Sequence, residues 1–241
     1  IIVGNIFAEN KFWHSPASFS NPSSPSLIYN NIFYNNYNVN PSAPGHLIPF
    51  QNDSAFFYHN LIADLPNCDS IPSLFVCGPG NIFGLDPLLA DTAAGDFHLL
   101  PCSPAINAGL NDFYLQNNLL TDLGGGPRIL DGLADMGPYE SPQLALSGPP
   151  AVRPACPGIA SGAARFEVAN ACAPLSFQWT GDNGAGNDTA ALAPGLYHFT
   201  LTDQQGKLLE HTLSVGEAPP PVWSGIVTPA SCPACPDGAI S

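Results

Sequence analysis

A short motif of apolar residues around an asparagine recurs in the first half of the chain. Its copies are Ile1–Asn10, Leu27–Asn36 and Phe56–Asp64, and Gly80–Phe83 repeats Gly4–Phe7 residue for residue. The pivotal asparagines of the first three copies are separated by 26 and 29 residues. Periods of this length indicate stacked supersecondary units, and each copy has two short β-rich runs with no helical periodicity. The repeat predicts successive coils of a parallel β-helix.

The recurring asparagine predicts a ladder inside that stack. The residues concerned are Asn5, Asn31, Asn60 and Asn81. An asparagine at a sharp bend tolerates the left-handed backbone region, and stacked amides can bond to the coils above and below. The same residues would also suit unrelated turns, but their recurrence with the same apolar flanks favours the ladder.

The second half of the chain has a different periodicity. Its runs Arg165–Val168, Leu175–Trp179, Gly195–Leu201 and His211–Val215 alternate apolar and polar residues, as half-buried strands do. Asp203–Gly206 has the composition of a hairpin turn between the last two. Pieces of the segment near Cys156 recur near Cys232, at an offset of 76 residues. This half therefore predicts a β-sandwich module with a second copy beginning behind it.

Two stretches resemble known families. Between residues 80 and 140 the chain contains five motifs in order: Gly80–Leu88, Gly95–Leu99, Ser103–Gly109, Thr121–Gly125 and Asp135–Glu140. This series is similar to the end of the right-handed β-helix in bacterial surface proteins of the choice-of-anchor Q type. The family usually has Asp at the position of Asn107 and Ala at that of Pro138. The resemblance implies that this segment closes the stack and covers its edge.

The second resemblance covers residues 150–218. Pro174–Trp179, Leu192–Tyr197 and Thr202-Asp203 resemble the SprB repeat of Bacteroidota surface proteins. That resemblance implies an immunoglobulin-like module, found in tandem in large adhesins exported by the type IX pathway. The predicted organisation is therefore all-β. Residues 1–142 are the terminal coils and the closing segment of a right-handed parallel β-helix. Residues 143–220 form an immunoglobulin-like β-sandwich, and residues 221–241 begin a second such sandwich.

The charge balance excludes several classes of partner. The chain has 19 acidic residues against 5 Lys plus Arg, a net charge of −14. Nucleic acid and anionic lipid both need clustered cations, so neither is an expected partner. No signal peptide or membrane-spanning run is present, and we expect an excerpt of a longer secreted protein located at the cell surface.

The cysteines point to an oxidising compartment. The spacing predicts disulfides Cys68–Cys77 and Cys156–Cys172, with Cys102 free and buried. It leaves open the pairing of Cys232 and Cys235.

Candidate chemical sites are few. A glycosidase or lyase needs two carboxylates facing a groove. Asp64 and Asp86 are the nearest candidates, and loop solvation explains both. No cofactor is expected. Asp122, Asp131 and Asp135 lie among glycines, as calcium ligands sometimes do, but their spacing favours carboxylates that form turns over a calcium site.

Four sites resemble the Asp-Ser/Thr-aliphatic pattern of Bacteroidota O-glycosylation: Ser54, Ser70, Thr92 and Thr189. In a chain rich in Ser and Thr, chance explains these four matches equally well. Aromatic residues crowd the predicted coils, where they could fill the interior or face outward toward sugars or another chain.

These observations predict a non-enzymatic segment of an extracellular adhesin or appendage, in which the coils form a stiff shaft or tip and the sandwich modules are spacers. Its expected partners are a glycan or cell-surface ligand and further copies in a larger assembly. The alternative is an accessory part of a secreted polysaccharide lyase or glycoside hydrolase whose catalytic coils lie upstream.

Overall fold

The computed structural model describes residues 1–12, 26–39, 45–46, 55–71, 75–180, 188–219, 227–228 and 239–240. Within these ranges the chain is nearly all-β and forms several separate sheets. Its helical elements there are α1 (Asp112–Gln116) and a 3₁₀ turn at Cys68–Ser70. The strands in chain order are β1 Ile2–Val3, β2 Ile6–Ala8, β3 Lys11–Phe12, β4 Ser26–Tyr29, β5 Ile32–Tyr34, β6 Tyr37–Asn38, β7 Gly45–His46, β8 Ala55–Tyr58, β9 Leu61–Ile62, β10 Phe75–Cys77, β11 Ile82–Phe83, β12 Leu89–Asp91, β13 Asp96–Leu99, β14 Ala145–Leu146, β15 Ala151–Arg153, β16 Gly162–Arg165, β17 Val168–Ala169, β18 Ser176–Trp179, β19 Asp188–Leu192, β20 Gly195–Thr202, β21 Leu208–Val215, β22 Val227–Thr228 and β23 Ala239–Ile240.

The chain divides into two compact units. The first comprises Ile1–Ala145 together with two short segments, Val168–Leu175 and Thr202–Leu208. The second comprises the remainder from Leu146 onward. The two short segments lie within the range that the sequence assigned to the sandwich module.

Two four-stranded parallel sheets form the centre of the first unit. The first sheet has the order β1-β4-β8-β10 and the second sheet the order β2-β5-β9-β11. Each strand pairs with its counterpart in the next copy of the repeat, so that Ile6, Ile32, Leu61 and Ile82 form one column. We call the strand pairs β1–β2, β4–β5, β8–β9 and β10–β11 the first to fourth rungs. A small third sheet, β3-β6-β7, continues beside them.

The space between the first and second sheets is filled by the apolar residues that the repeat supplies. Ile28 and Phe57 from the first sheet pack with Phe33 and Ile62 from the second. The rings of Phe7 and Phe33 stack in successive rungs at a centroid distance of 5.0 Å. Burial of these side chains contributes about 1.5–3 kcal/mol each relative to leaving them in water.

The segment after the fourth rung packs on the outer face of the second sheet. There Ala105, Ile106 and Met136 join Ile32 and Leu61 in a second apolar cluster. Among the described residues β10 and β11 are the terminal strands of their sheets, so the segment adds no strand to the edge of the last coil. The apolar column on the face of the sheet offers the segment more surface to bury than the narrow edge does.

The second unit contains two three-stranded sheets, β15-β16-β19 and β18-β20-β21. Phe166, Phe177, Trp179 and Phe199 form its aromatic core, with Phe166 and Phe199 stacked at 4.4 Å. The first predicted strand of this half lies at Gly162–Arg165 and Val168–Ala169 instead of Arg165–Val168.

The predicted turn between β20 and β21 is confirmed. Gly206 donates its N–H to the carbonyl of Asp203 at 3.0 Å. The φ of +82° at Gly206 lies in the left-handed region, where a glycine costs least.

Candidate functional site

The predicted asparagine ladder is present in the first unit. At each step the backbone N–H and the side-chain amide of one asparagine donate to Oδ1 of the next, at 3.0 and 3.1 Å. The steps run from Asn5 to Asn31, from Asn31 to Asn60 and from Asn60 to Asn81. All four predicted residues are therefore brought together in one column.

Each inner amide also bonds to the main chain of the preceding rung. Asn31 donates to the carbonyl of Ile2 at 3.0 Å, and Asn60 donates to that of Ile28 at 2.8 Å. Both asparagine side chains are buried. Because buried polar groups are costly to leave unpaired, these bonds fix the register of successive rungs.

The bend itself is made by the residue before each ladder asparagine. Gly4, Asn30, His59 and Gly80 have φ values of +64°, +58°, +50° and +77°. The ladder asparagines are not among the residues with positive φ, so the prediction that they adopt the left-handed region is wrong. The left-handed residue of each turn is therefore the one before the ladder asparagine, and the amide of each asparagine extends along the stack.

A second ladder, which the sequence reasoning missed, lies at the next corner. Asn10 donates its side-chain amide to Oδ1 of Asn36 at 2.7 Å, and the backbone N–H of Asn36 donates to Oδ2 of Asp64 at 3.0 Å. The signal was available, since these residues end the three copies of the repeat.

Asn30 ties the following segment to the second rung. Its side-chain amide donates to the carbonyl of Leu110, and the N–H of Leu110 donates back to Oδ1 of Asn30, each at 2.7 Å. Gly137 donates its N–H to the carbonyl of Asn30 at 2.8 Å. The segment is thus held against the stack by main-chain bonds as well as by apolar contacts.

A buried charged cluster organises that segment. Nη2 of Arg128 lies 2.8 Å from Oε1 of Glu140 and donates to the carbonyl of Asp135 at 2.6 Å. The guanidinium carbon lies 4.6 Å above the ring of Tyr114. Burial, and after it the neighbouring Asp135, raise the pKa of Glu140 to about 8, although Arg128 opposes the rise.

The acids of this cluster accept main-chain N–H groups. Asp135 accepts from Asn107 and Ser141, each at 2.7 Å. Asp122 accepts from Gly126 at 2.8 Å and from Glu140 at 2.9 Å. These contacts assign the two carboxylates to turn formation. No group of three or more His, Cys, Asp or Glu side chains in the described ranges is arranged to hold a metal ion.

The carboxylates considered for catalysis have the same kind of partner. Oδ2 of Asp64 accepts the N–H of Asn36, and Oδ1 of Asp86 accepts the N–H of Leu88 at 2.8 Å. The carboxylate of Asp86 shapes its own turn, whereas that of Asp64 joins the third rung to the second.

The aromatic residues of the stack divide between its interior and its outer face. Phe33 and Phe57 are buried, whereas Phe56 and Tyr58 lie half-buried on the outer face of the first sheet. The rings of Phe56 and Tyr58 are nearly parallel, with centroids 6.2 Å apart. Trp13 lies outside the described residues.

One predicted disulfide is present and the other is wrong. Cys68 is bonded to Cys77, as predicted. Cys172 is bonded to Cys102, and Cys156 is free and exposed. Cys102 is therefore neither free nor buried. The reason is that Val168–Leu175 belongs to the first compact unit, which places Cys172 beside a cysteine 70 residues earlier.

The predicted glycosylation sites differ in accessibility. Ser70 is exposed, and Thr92 is half-buried and donates its hydroxyl to Glu9 at 2.6 Å. Thr189 is only 5% exposed, so the folded chain leaves no room for a glycan there, which contradicts the prediction at that site. Ser54, like Cys232 and Cys235, lies outside the described residues.

No protein-family profile, curated protein or solved structure matches this chain. Among the described residues, no helix has the length and apolar composition that a membrane crossing requires.

Proposed function

We propose that the chain is a segment of a large cell-surface adhesin or extracellular appendage. In this proposal residues 1–142 are terminal coils of a right-handed parallel β-helix and act as a stiff shaft or tip. Residues 143–220 are an immunoglobulin-like spacer of the SprB type, and residues 221–241 begin the next spacer.

The observation that carries the proposal is the four-rung stack with its in-register ladder. Parallel rungs that contact only their neighbours form a quasi-one-dimensional body. The buried amides of Asn31 and Asn60 oppose slippage between rungs, because a shift of one residue would strand them. Such a body suits a mechanical role at a cell surface.

Two further features support the proposal. The disulfides Cys68–Cys77 and Cys102–Cys172 are typical of proteins in oxidising compartments. Asp64 accepts a hydrogen bond from the preceding rung and Asp86 accepts one within its own turn, and these structural contacts favour a non-enzymatic segment over the lyase or glycosidase alternative.

The outer face of the first sheet suits a glycan better than other classes of ligand. Phe56 and Tyr58 present nearly parallel rings in the same half-buried strand. Aromatic rings of this kind can bury the apolar face of a sugar ring while its hydroxyls stay in water.

Retention of the chain on glycan-coated and cell-coated surfaces tests the proposal. We expect the wild-type chain to be retained, and Phe56→Ala with Tyr58→Ala to lower the retained amount at least about tenfold. Leu196→Ala is the matched control, because Leu196 is an exposed apolar residue of the second unit.

New reducing or unsaturated sugar ends released from the bound glycans would favour the enzyme alternative instead. Absence of retention on every surface would overturn the adhesin proposal.

A further inference from the structure

A pocket of about 430 Å³ opens beside the corner at which the third rung turns from the first sheet to the second. It is lined by His59, the left-handed residue of that corner, by Gly80 of the fourth rung, by the segment 107–112 and by Leu133. All of these residues belong to the first unit. Sites for small molecules have volumes of about 300–1,000 Å³, so the pocket is large enough to hold one.

The imidazole of His59 presents an unprotonated nitrogen. Its Nδ1 lies 3.0 Å from the carbonyl oxygen of Ala108, and because a carbonyl only accepts, Nδ1 carries the proton. In the neutral ring Nε2 then keeps its lone pair, and it makes no hydrogen bond to the described residues. A Cβ at Gly80 would lie 2.5 Å from each of the ring atoms Cδ2, Cε1 and Nε2, so the ring faces the main chain of the fourth rung. These contacts fix the orientation of the acceptor.

The main chain around the pocket is held by hydrogen bonds. Leu110 donates its N–H to Oδ1 of Asn30 at 2.7 Å. Asn111 accepts from the N–H of Ala134 at 2.9 Å and donates its side-chain amide to the carbonyl of Gly132 at 2.8 Å. The pocket is therefore formed before a ligand arrives, which lowers the cost of binding.

Two further polar groups of the lining have no hydrogen-bond partner among the described residues. They are the carboxylate of Asp112, at an exposed position, and the side-chain amide of Asn107, whose main-chain N–H is bonded elsewhere. With Nε2 of His59 they supply two acceptors and one group that both donates and accepts. Leu110 and Leu133 add apolar surface to the lining.

This combination matches neighbouring hydroxyl groups on a sugar ring. A hydroxyl can donate to the imidazole nitrogen or to the carboxylate and can accept from the amide, while the C–H face of the sugar lies on apolar surface. Charge selects further among sugars. No Lys or Arg occurs among the described residues that line the pocket, and Asp112 repels an acidic sugar.

We propose that this pocket binds one neutral sugar residue and rejects uronates. The inference rests on the proposed function, in which a glycan lies on the outer face of the first sheet. His59 follows Tyr58 directly, so the pocket lies at the end of the strand that carries the aromatic pair Phe56 and Tyr58. The aromatic pair can hold many sugars, whereas the pocket supplies the directional hydrogen bonds that distinguish one class from another.

NMR titration of the ¹⁵N-labelled chain with single sugars tests the pocket separately from the aromatic pair. The probes are the methyl glycosides of glucose, galactose, mannose and N-acetylglucosamine, and the matched acidic probes are those of glucuronate and galacturonate. We expect at least one neutral glycoside to shift the signals of the Asn107 side-chain amide and of the Gly80 and Leu133 main chain. Its dissociation constant should be about 1–10 mM, as is ordinary for a ligand of this size. The uronates should shift none of these signals.

Asp112→Asn tests the origin of the selectivity. It removes the charge and keeps the shape of the side chain, so it should weaken binding of the neutral glycoside at least about fivefold. The same variant should bind the matching uronate, which a merely structural effect would not produce. Asp69→Asn is the matched control, because Asp69 is equally exposed and does not line the pocket. Slow hydrogen exchange at the buried Ile32 and Leu61 verifies that the stack is intact in each variant.

No shift with any neutral glycoside at about 100 mM would overturn the assignment, since that concentration exceeds the expected dissociation constant at least tenfold. Equal binding of uronates by the wild type, or an Asp112→Asn variant that binds like the wild type, would overturn it as well. Retention on glycan-coated surfaces is measured independently. Glycoside binding by a chain that no surface retains would overturn the adhesin proposal and leave the pocket standing, and retention without glycoside shifts would do the reverse.

Discussion

Asn31 and Asn60 are joined twice although 29 residues separate them: the backbone N–H and the side-chain amide of Asn31 both donate to Oδ1 of Asn60. This double contact couples the path of the main chain to the position of a buried amide. Any change that removes the amide therefore affects two rungs at once.

Replacement of Asn31 by Leu should destabilise the first unit by at least about 2 kcal/mol. Partners in the first, second and third rungs lose their bonds, and each buried group left unpaired costs about 1–3 kcal/mol. Asn67→Leu, at an exposed position, should stay within about 0.5 kcal/mol. Calorimetry measures both variants, and the transition of the second unit should not move. Equal losses in the two variants would show that the ladder does not stabilise the stack.

The second ladder predicts a graded response at Asp64. Asp64→Ala removes the acceptor of the Asn36 N–H and should cost about 1 kcal/mol, whereas Asp64→Asn keeps an acceptor oxygen and should cost less. Chemical denaturation of the three proteins gives the comparison. An equal loss for alanine and asparagine would assign the effect to the charge of Asp64 and not to its hydrogen bond.

The first ladder was predictable because its asparagines recur with the same flanks and a similar spacing. The left-handed residue before each of them was not, since glycine holds this position in only two of the four copies, at Gly4 and Gly80, and the other two have Asn30 and His59. The cluster around Arg128 could not be predicted either. Glu140 follows Arg128 by twelve residues in a stretch without periodicity, and only the folded chain brings Nη2 of Arg128 within 2.8 Å of Oε1 of Glu140. Regular stacking leaves a sequence signal, whereas contacts between irregular segments leave none.

Peptide mapping of the unreduced protein should recover Cys102 linked to Cys172, with Cys156 open to alkylation. Replacing both linked residues by Ser should destabilise the first unit by about 2–4 kcal/mol, because the bond closes a long loop in the unfolded chain. Cys156→Ser is the matched control and should leave stability unchanged. A peptide linking Cys156 to Cys172 would restore the pairing expected from the sequence.

The buried carboxyl of Glu140 predicts an unusual dependence of stability on pH. Its pKa is raised to about 8 in the folded chain from an ordinary value of 4.5, so the folded state binds a proton that the unfolded state releases. Its protonation therefore stabilises the first unit fully below about pH 4.5, and this contribution is lost as the pH rises through 8.

We expect the free energy of unfolding of the first unit to fall between pH 5 and pH 8.5, as measured by urea denaturation. Glu140→Gln is the matched variant, because its amide oxygen can still accept from Arg128 but cannot titrate. The slope with pH should be smaller in that variant than in the wild type. Burial also raises the pKa of Asp135, which adds to the slope in the same direction and persists in the Gln variant. A wild-type slope between pH 6 and pH 8.5 no larger than that of Glu140→Gln would mean that the ion pair with Arg128 outweighs the burial of Glu140, and that the carboxylate is charged throughout this range.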